Sequence, residues 1–398
     1  MPDPQRTAET LYDDEDEYRP EPEPIPQPPA WMDGGLRIGI HTSIATDIAE
    51  SLDTARKLGC NALQIFSASP RMWGRPGASR ITEVDAKRFQ KRRAELGLGP
   101  LVIHDNYLIN LATTQPVLRV RSIQTFHDEL VRAVALGGNF LVTHPGSRGE
   151  AGVQQAIESI TQGIRQAARG VKFNGLQILI ENTAGMGTAV GWRLEEVAAI
   201  LAALPDLPMG VCIDTAHLFA AGYDIRTEKG LESTLEQIEQ TTGLAQVYVV
   251  HMNDSKMPLG SRVDRHEHIG KGKIGIEAFR RILTHPRLAA DGPHGLPGRA
   301  FILETPIDAP GDDRRNVRTL WQLAGVSAAQ APDAENGFSM LRSARARKAE
   351  REGRKPKKRA KSSRQSAPRQ GRGRHRAQRR KTKSKKTGTK SKPRPRRR

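Results

Sequence analysis

Hydrophobic and polar positions follow two different rhythms along the middle of this 398-residue chain. Short apolar runs recur: "LRIGIH" (36–41), "ALQIF" (62–66), "PLVIH" (100–104), "FLVTH" (140–144), "QILIE" (177–181), "MGVCID" (209–214), "VYVVH" (247–251) and "AFILE" (300–304). Between them lie longer amphipathic segments such as "SIQTFHDELVRAVALGG" and "LEEVAAILAAL". A run that is apolar at nearly every position is buried on both faces, as in a parallel sheet covered by helices. Eight strand–helix units within about 290 residues predict an α/β fold of the (β/α)8 TIM-barrel type. A doubly wound open sheet is the competing arrangement.

Composition changes the picture only at the two ends. Residues 1–33 hold ten acids, two arginines and the run "RPEPEPIPQPPA". Repeated prolines and like charges cannot bury a core, so a disordered acidic lead is expected there. Residues 341–398 hold 28 Lys/Arg against two acids, and a disordered basic tail is expected from 338 to 398. The formal charge of +19 therefore belongs to an appendage, and the barrel domain, assigned to 34–330, is nearly neutral. Such a tail seeks polyanions. Duplex DNA, held through its phosphates without sequence preference, is the expected partner; RNA or ribosome binding and nuclear targeting are the other readings.

Cys60 and Cys212 each sit in apolar surroundings and imply no disulfide framework. The opening "MPDPQRTAETLYDDEDEYRPEPEP" lacks the apolar core of a signal peptide, and no stretch approaches the length of a membrane span. The expectation is a cytoplasmic, nucleoid-associated protein (nuclear in a eukaryotic host), monomeric and without a membrane partner.

The chemistry sits at the ends of the runs. Their last residues are His41, Phe66, His104, His144, Glu181, Asp214, His251 and Glu304, so seven of eight stop on a metal-capable side chain. Barrel active sites lie at the C-terminal ends of the strands, where side chains from different strands converge. His217 follows in "DTAHLF", and Asp264 and His266 in "VDRHE", on a loop able to fold back over the barrel mouth. Five imidazoles and four carboxylates with no thiolate suit zinc, with manganese or iron as substitutes. Nine ligands suit two or three ions and at least one bridging carboxylate. Clustered divalent ions favour phosphoryl chemistry, so a multimetal phosphodiester hydrolase is expected. A sugar isomerase or epimerase on the same barrel is the enzymatic alternative, and a non-enzymatic DNA-binding protein the other class.

At these residues the chain resembles the endonuclease IV family of zinc-dependent apurinic/apyrimidinic endonucleases. The blocks that carry the resemblance are "GIHTS" (39–43), "LQIFSASPRMW" (63–73), "IHDNYLINLA" (103–112), "THPGS" (143–147), "LIENTAGMG" (179–187), "CIDTAHLFAAGYD" (212–224), "HMNDSKMPLGSRVDRHEHIGKGKIG" (251–275) and "LETP" (303–306). Ala216 stands where a cysteine is common, and Met186 where glutamine is common; neither removes a ligand. The resemblance implies three zinc ions. His104, His144 and Glu181 would hold one. Asp214, His251, Glu304 and the shared Glu181 would hold a second, and His217, Asp264 and His266 the third. Glu181 and Glu304 would be the catalytic carboxylates. A bridging water would attack the phosphorus 5′ to an abasic sugar in duplex DNA, leaving a 3′-hydroxyl and a 5′-deoxyribose phosphate, and blocked 3′ ends would be trimmed. The resemblance further implies bent DNA, a turned-out nucleotide, and Arg71, Tyr107 and Leu108 penetrating the duplex.

Some signals are discounted. "GKGKIG" (270–275) has glycines spaced as in a dinucleotide-binding loop but follows no strand of a nucleotide-binding unit, and is expected to be a turn closing the strand-seven loop. His127, His285 and His294 are expected to be structural or solvent-facing. His41 is expected in a supporting shell or against DNA, and His268 is left unassigned.

Overall fold

A computed structural model describes residues 35–45, 47–73, 81–289 and 299–325. The acidic lead, the basic tail and His294 lie outside the described residues. Along the chain, β1 (Arg37–Ile40) leads to α1 (Ile48–Leu58), β2 (Leu63–Phe66), α2 (Glu83–Leu96), β3 (Leu101–His104), α3 (Pro116–Ala135), β4 (Phe140–Thr143) and α4 (Val153–Ala167). Next come β5 (Gln177–Glu181), α5 (Leu194–Ala202), β6 (Met209–Asp214), α6 (Thr215–Ala221), α7 (Glu228–Thr241) and β7 (Val247–His251). A short hairpin, β8 (Asp254–Ser255) with β9 (His266–Glu267), precedes α8 (Ile276–Thr284), α9 (Pro286–Ala289), β10 (Ala300–Leu303) and α10 (Asp312–Leu323). All eight expected runs are strands.

The eight long strands are parallel, in the order β1-β10-β7-β6-β5-β4-β3-β2. The ring closes between β1 and β2. Ile38 O accepts from Asn61 N and Ala62 N, Thr42 N donates to Gln64 O, and His41 bridges Gln64. The fold is a TIM barrel, not an open sheet. Gly39 makes the closure close: a Cβ there would stand 2.6 Å from the carbonyl of Ala62 and 2.7 Å from Ile302 Cδ1.

Two apolar clusters flank the strands. The larger joins the outer faces of the strands to the helices, for example Ile103, Phe126, Ile180 and Phe279. The smaller fills the barrel with Ala62, Val102, Phe140, Val142, Leu179, Cys212, Tyr248, Val249, Ala300 and Ile302. Side chains two apart along a strand share a face. Two residues beyond Ala62, Val102, Val142, Leu179, Cys212, Val249 and Ile302 stand Gln64, His104, His144, Glu181, Asp214, His251 and Glu304. The apolar interior thus dictates that these polar residues also point inward, one layer higher. On β7 this needs a bulge. The register against β6 steps from Val247 to Val249, so Tyr248 and Val249 both reach the interior and His251 regains the inward direction.

Replacing Gly39 by alanine should separate β1 from β2 and cost about 2–4 kcal/mol, as overpacking against backbone does. Urea unfolding of the two forms would measure it, and an unchanged midpoint would show that the closure tolerates the added carbon.

Candidate metal centre

Glu181 is the hub of the barrel mouth. Its carboxylate is 1% exposed and meets four imidazoles: His251 Nδ1 at 3.1 Å and His217 Nδ1 at 3.2 Å from Oε1, His104 Nε2 at 3.4 Å and His144 Nε2 at 3.5 Å from Oε2. His251 Nδ1 also lies 3.2 Å from Glu304 Oε2 and 3.9 Å from Asp214 Oδ2. Asp264 reaches His217 Nε2 and His266 Nε2, each at 3.2 Å, and His266 Nε2 lies 3.6 Å from Asp214 Oδ2. All nine expected ligands are therefore brought together. Three groups among them are compact enough to hold an ion: His104–His144–Glu181, Glu181–Asp214–His251–Glu304 and Asp214–His217–His266.

Local structure explains the placement of the residues beyond the strand ends. Asp214 caps α6, its Oδ1 accepting from His217 N at 2.8 Å, so His217 sits on the first helical turn, facing back toward the strand ends. The β8–β9 pairing, Ser255 opposite His266, folds the intervening loop over the mouth and delivers Asp264 and His266. Asp254 anchors that loop from below. Its carboxylate accepts the backbone N–H groups of Ser255, Gly270, Gly272 and Ile274. The glycine-rich "GKGKIG" is thus a cradle for an internal carboxylate, and a Cβ on Gly272 would stand 2.3 Å from Asp254 Oδ1.

Four histidines are fixed in orientation by acceptors, which in His104, His251 and His266 take the nitrogen far from the facing carboxylates and in His217 take Nδ1, the nitrogen that also faces Glu181. His104 Nδ1 meets Asp105 O at 3.0 Å, His217 Nδ1 meets Asn182 O at 3.0 Å, His266 Nδ1 meets Glu304 O at 3.3 Å, and His251 Nε2 meets Gln64 Oε1 at 2.8 Å. A carbonyl can only accept, so the proton belongs on that nitrogen and the other turns its lone pair toward carboxylates. Glu181 Oε2 and His266 Nε2 are buried with no hydrogen-bond partner. Lone pairs facing carboxylates repel unless cations stand between them, and protons or metal ions both qualify. With protons in that role, the imidazoles are strong bases. Burial opposes charge on His104, yet Glu181 and the surrounding carboxylates push its pKa up to about 10. Burial is likewise outweighed at His266, raised to about 9 beside Asp214 and Asp264, and His217 and His251 are raised by neighbouring acids. Glu181 and Glu304 stay below the usual carboxylate range against burial, because imidazoles surround them. His144, at the rim, is lowered by burial. The donor set of nitrogens and oxygens fits divalent zinc, manganese or iron. Cys212, one layer below, brings its sulfur close to Glu181 and His251, but burial and the nearby acids keep its thiol protonated.

Several supporting residues escaped the sequence reading. Gln64 donates to Glu304 Oε1 at 2.6 Å while accepting from His251, and His41 Nδ1 lies 3.0 Å from its amide nitrogen. His41 is thus in the supporting shell. Asn253 donates to Asp214 Oδ2 at 2.6 Å and accepts from Glu304 N at 2.9 Å; Asn182 accepts from Asp214 N at 2.7 Å. Their signal was positional: Asn182 and Asn253 stand one and two residues past strand-end ligands, and Gln64 shares the inward register. His268 belongs elsewhere. Its Nδ1 faces the Asn316 amide, whose oxygen accepts from Ile269 N, so its Nε2–H points to Asp308 and Asp312 and ties the loop after β10. His127 meets Ala167 O and His285 meets Glu232, both structural contacts.

Arg71, Tyr107 and Leu108 lie on the loops after β2 and β3. Asn106 locks these loops together, donating to Ser69 O and Met72 O at 3.0 and 2.8 Å while accepting from Leu108 N. Tyr107 is 57% exposed, with its ring edge-on to Phe66.

Residues 52–321 match the family described as xylose isomerase-like TIM barrel. A protein of Solibacter usitatus named probable endonuclease 4 is 49% identical over 294 residues, 73% of this chain and 97% of that protein. The chain belongs to the endonuclease IV family. The crystal structure of endonuclease IV from Thermus thermophilus is 38% identical, with a TM-score of 0.63 over 73% of this chain and 99% of that one. A D-tagatose 3-epimerase-like protein shares the barrel at 16% identity and a TM-score of 0.53, a likeness of fold alone.

Replacing Asp254 by alanine would leave four backbone N–H groups without their acceptor. A loss of about 2–4 kcal/mol is expected, with proteolytic nicking between 256 and 273 appearing at denaturant concentrations where the parent chain is resistant. Resistance equal to the parent would show that the loop holds its place without this anchor.

Proposed function

We propose that this chain is a DNA-repair endonuclease that hydrolyses the phosphodiester 5′ to abasic sites in duplex DNA, leaving a 3′-hydroxyl and a 5′-deoxyribose phosphate, and that it also trims blocked 3′ ends. The observation that carries the reading is the convergence of nine nitrogen- and oxygen-bearing side chains, the buried Glu181 at their hub, in a member of this family. Three zinc ions would be held by His104, His144 and Glu181; by Glu181, Asp214, His251 and Glu304; and by His217, Asp264 and His266. Bound there, the ions would lower the pKa of a water and neutralise charge on the phosphate and the leaving oxygen.

The chain's own residues supply position. Glu181 is shared by two groups and fixes the spacing between them. Gln64 and Asn253 fix Glu304 and Asp214, so the carboxylates do not reorganise when an anionic phosphate arrives. Asn182 and the Asp105 carbonyl keep His217 and His104 in one tautomer. Residues that enter the duplex come from the loops after β2 and β3. Five large apolar side chains, Met72, Tyr107, Met186, Leu259 and Ile307, stand exposed on loops that follow strands. Exposed apolar groups ringing a mouth suit contact with bases and sugars more than with water. Wedging side chains into a base stack costs least where a base is missing, which is a physical source of lesion selectivity. The cations of the tail would add a salt-sensitive hold on undamaged DNA.

The deciding measurement is incision of a labelled duplex with one abasic-site analogue, without added magnesium. Cleavage 5′ to the lesion is expected for the parent chain. A loss of at least about a hundredfold in kcat is expected for Glu181→Gln, the scale seen when a group stabilising the transition state is removed. No cleavage by protein shown to hold its metals would turn the assignment toward sugars. Tyr107→Ala with Leu108→Ala should weaken cleavage of abasic duplex while sparing a 3′-blocked end that needs no flipping; equal rates on abasic duplex would remove the wedge role.

A further inference from the structure

We propose that Arg193 and Arg262, stacked against Trp192, form a second contact site for the DNA phosphodiester backbone, outside the ligand cluster and on loops other than those of Arg71, Tyr107 and Leu108. It rests on the reading of the chain as a DNA endonuclease. The Arg262 guanidinium lies 4.0 Å from the centroid of the Trp192 ring, and that of Arg193 lies 4.7 Å from the same ring. Neither guanidinium forms an ion pair or a hydrogen bond among the described residues. Both residues are exposed. Two like charges held against one indole, with their hydrogen-bonding forks unused, are a site that an anion with several acceptor oxygens would complete.

The surroundings favour an extended anion. Trp192, Arg193 and Arg262 line a groove of about 690 Å³ together with Arg148 and Val153. Val153 opens α4, a fifteen-residue helix with no acid in its first turn and no side-chain cap at Gly152, so its free N–H groups add to the positive field. Two acids also border the groove. Glu196 is buried and turned inward, accepting from Gly191 N at 2.7 Å, which leaves Glu195 as the exposed carboxylate against three arginines. Arg262 is held with φ at 53°, a conformation uncommon for a side-chain-bearing residue, and its N–H is tied to Ala220 O at 2.9 Å. Arg262 stands two residues before Asp264, so the groove begins within about 7 Å of the cluster along the backbone. One strand of DNA rises about 3.4 Å per nucleotide, which sets the contact one or two nucleotides from the scissile phosphate. A planar indole in contact with both guanidinium groups limits their freedom and keeps the two forks near one another for a strand passing across them.

The test uses the full, metal-loaded chain and duplexes with one abasic analogue and a single uncharged methylphosphonate linkage, moved outward from the lesion on either strand. The parent chain should lose about tenfold in kcat/KM, through KM, at one or two linkages near the lesion. Arg193→Gln with Arg262→Gln should start about as weak and lose nothing further at those linkages, while responding like the parent at all others. Equal sensitivity of both proteins at every linkage would overturn the proposal. Arg193→Gln alone, on an exposed side chain, repeats the comparison if the double variant unfolds early. Affinity for the same duplexes, read by anisotropy, is scored beside incision so that the two failures separate. Incision absent with linkage-specific binding loss retained removes the nuclease reading and keeps this site. Incision present with no difference between variant and parent removes this site and keeps the nuclease.

Discussion

Everything at the mouth of this barrel depends on one buried contact set: the Glu181 carboxylate facing four imidazoles. Such an arrangement cannot stand in an apolar interior without cations between its members. Protons can serve, and then the histidines become strong bases; divalent ions can serve, and then nitrogen and oxygen lone pairs become ligands. The fold does not leave the choice open in geometry. Backbone carbonyls and Gln64 take the far nitrogen of His104, His251 and His266, so the near nitrogens are committed to the facing carboxylates, and Asn182 O takes Nδ1 of His217, which commits its Nε2 to Asp264.

That commitment is a consequence of the barrel's dry floor. Leu179, Cys212, Val249 and Ile302 must point inward to fill the interior, and period-two geometry then forces Glu181, Asp214, His251 and Glu304 to do the same. The strands carry the ligands as far as rigid structure can. The remaining three come from α6 and the β8–β9 hairpin, and each is held by a carboxylate acting on backbone: Asp214 on the first turn of α6, Asp254 on the loop behind the hairpin. Asp214 therefore has two tasks at once, one oxygen capping a helix and the other facing His266.

The barrel and its ligand ring were legible in the sequence because both follow from a period of two that ends at a marked position. Each run was apolar at nearly every position, and each ended where its inward row met the mouth. The resemblance to endonuclease IV then divided the ring into three sets; the first two coincide with compact groups in the structure, and in the third the structure gathers Asp214, rather than Asp264, with His217 and His266. Other features were not legible for physical reasons. The bulge at Tyr248 depends on how β7 pairs with β6, and a single strand does not display its partner's register. Gln64 and Asn253 carry no chemistry of their own, and their value lies in whose oxygen they touch. The cradle around Asp254 unites residues sixteen to twenty apart, so "GKGKIG" could be recognised as a turn but not as the holder of a carboxylate. The stack of Arg262 on Trp192 joins two loops seventy residues apart. The two tails were read from charge and proline content, and they lie outside the described residues.

The division of labour between strands and loops bears on where selectivity arises. A D-tagatose 3-epimerase-like protein has the same barrel, so the architecture alone cannot choose a substrate. The cluster at the strand ends would treat one phosphodiester much like another, since it meets only oxygens and phosphorus. On the proposed reading, discrimination would come from groups that meet bases and sugars, on the loops of Arg71, Tyr107 and Leu108, while Arg193 and Arg262 would meet phosphates and position the strand. The first set is locked by Asn106, which grips the neighbouring loop through two carbonyls. The second is held by an indole that both guanidinium groups contact. Neither lock passes through the cluster's ligands, so on the proposed reading lesion preference would change by substitutions in the loops while the ligand cluster keeps its geometry.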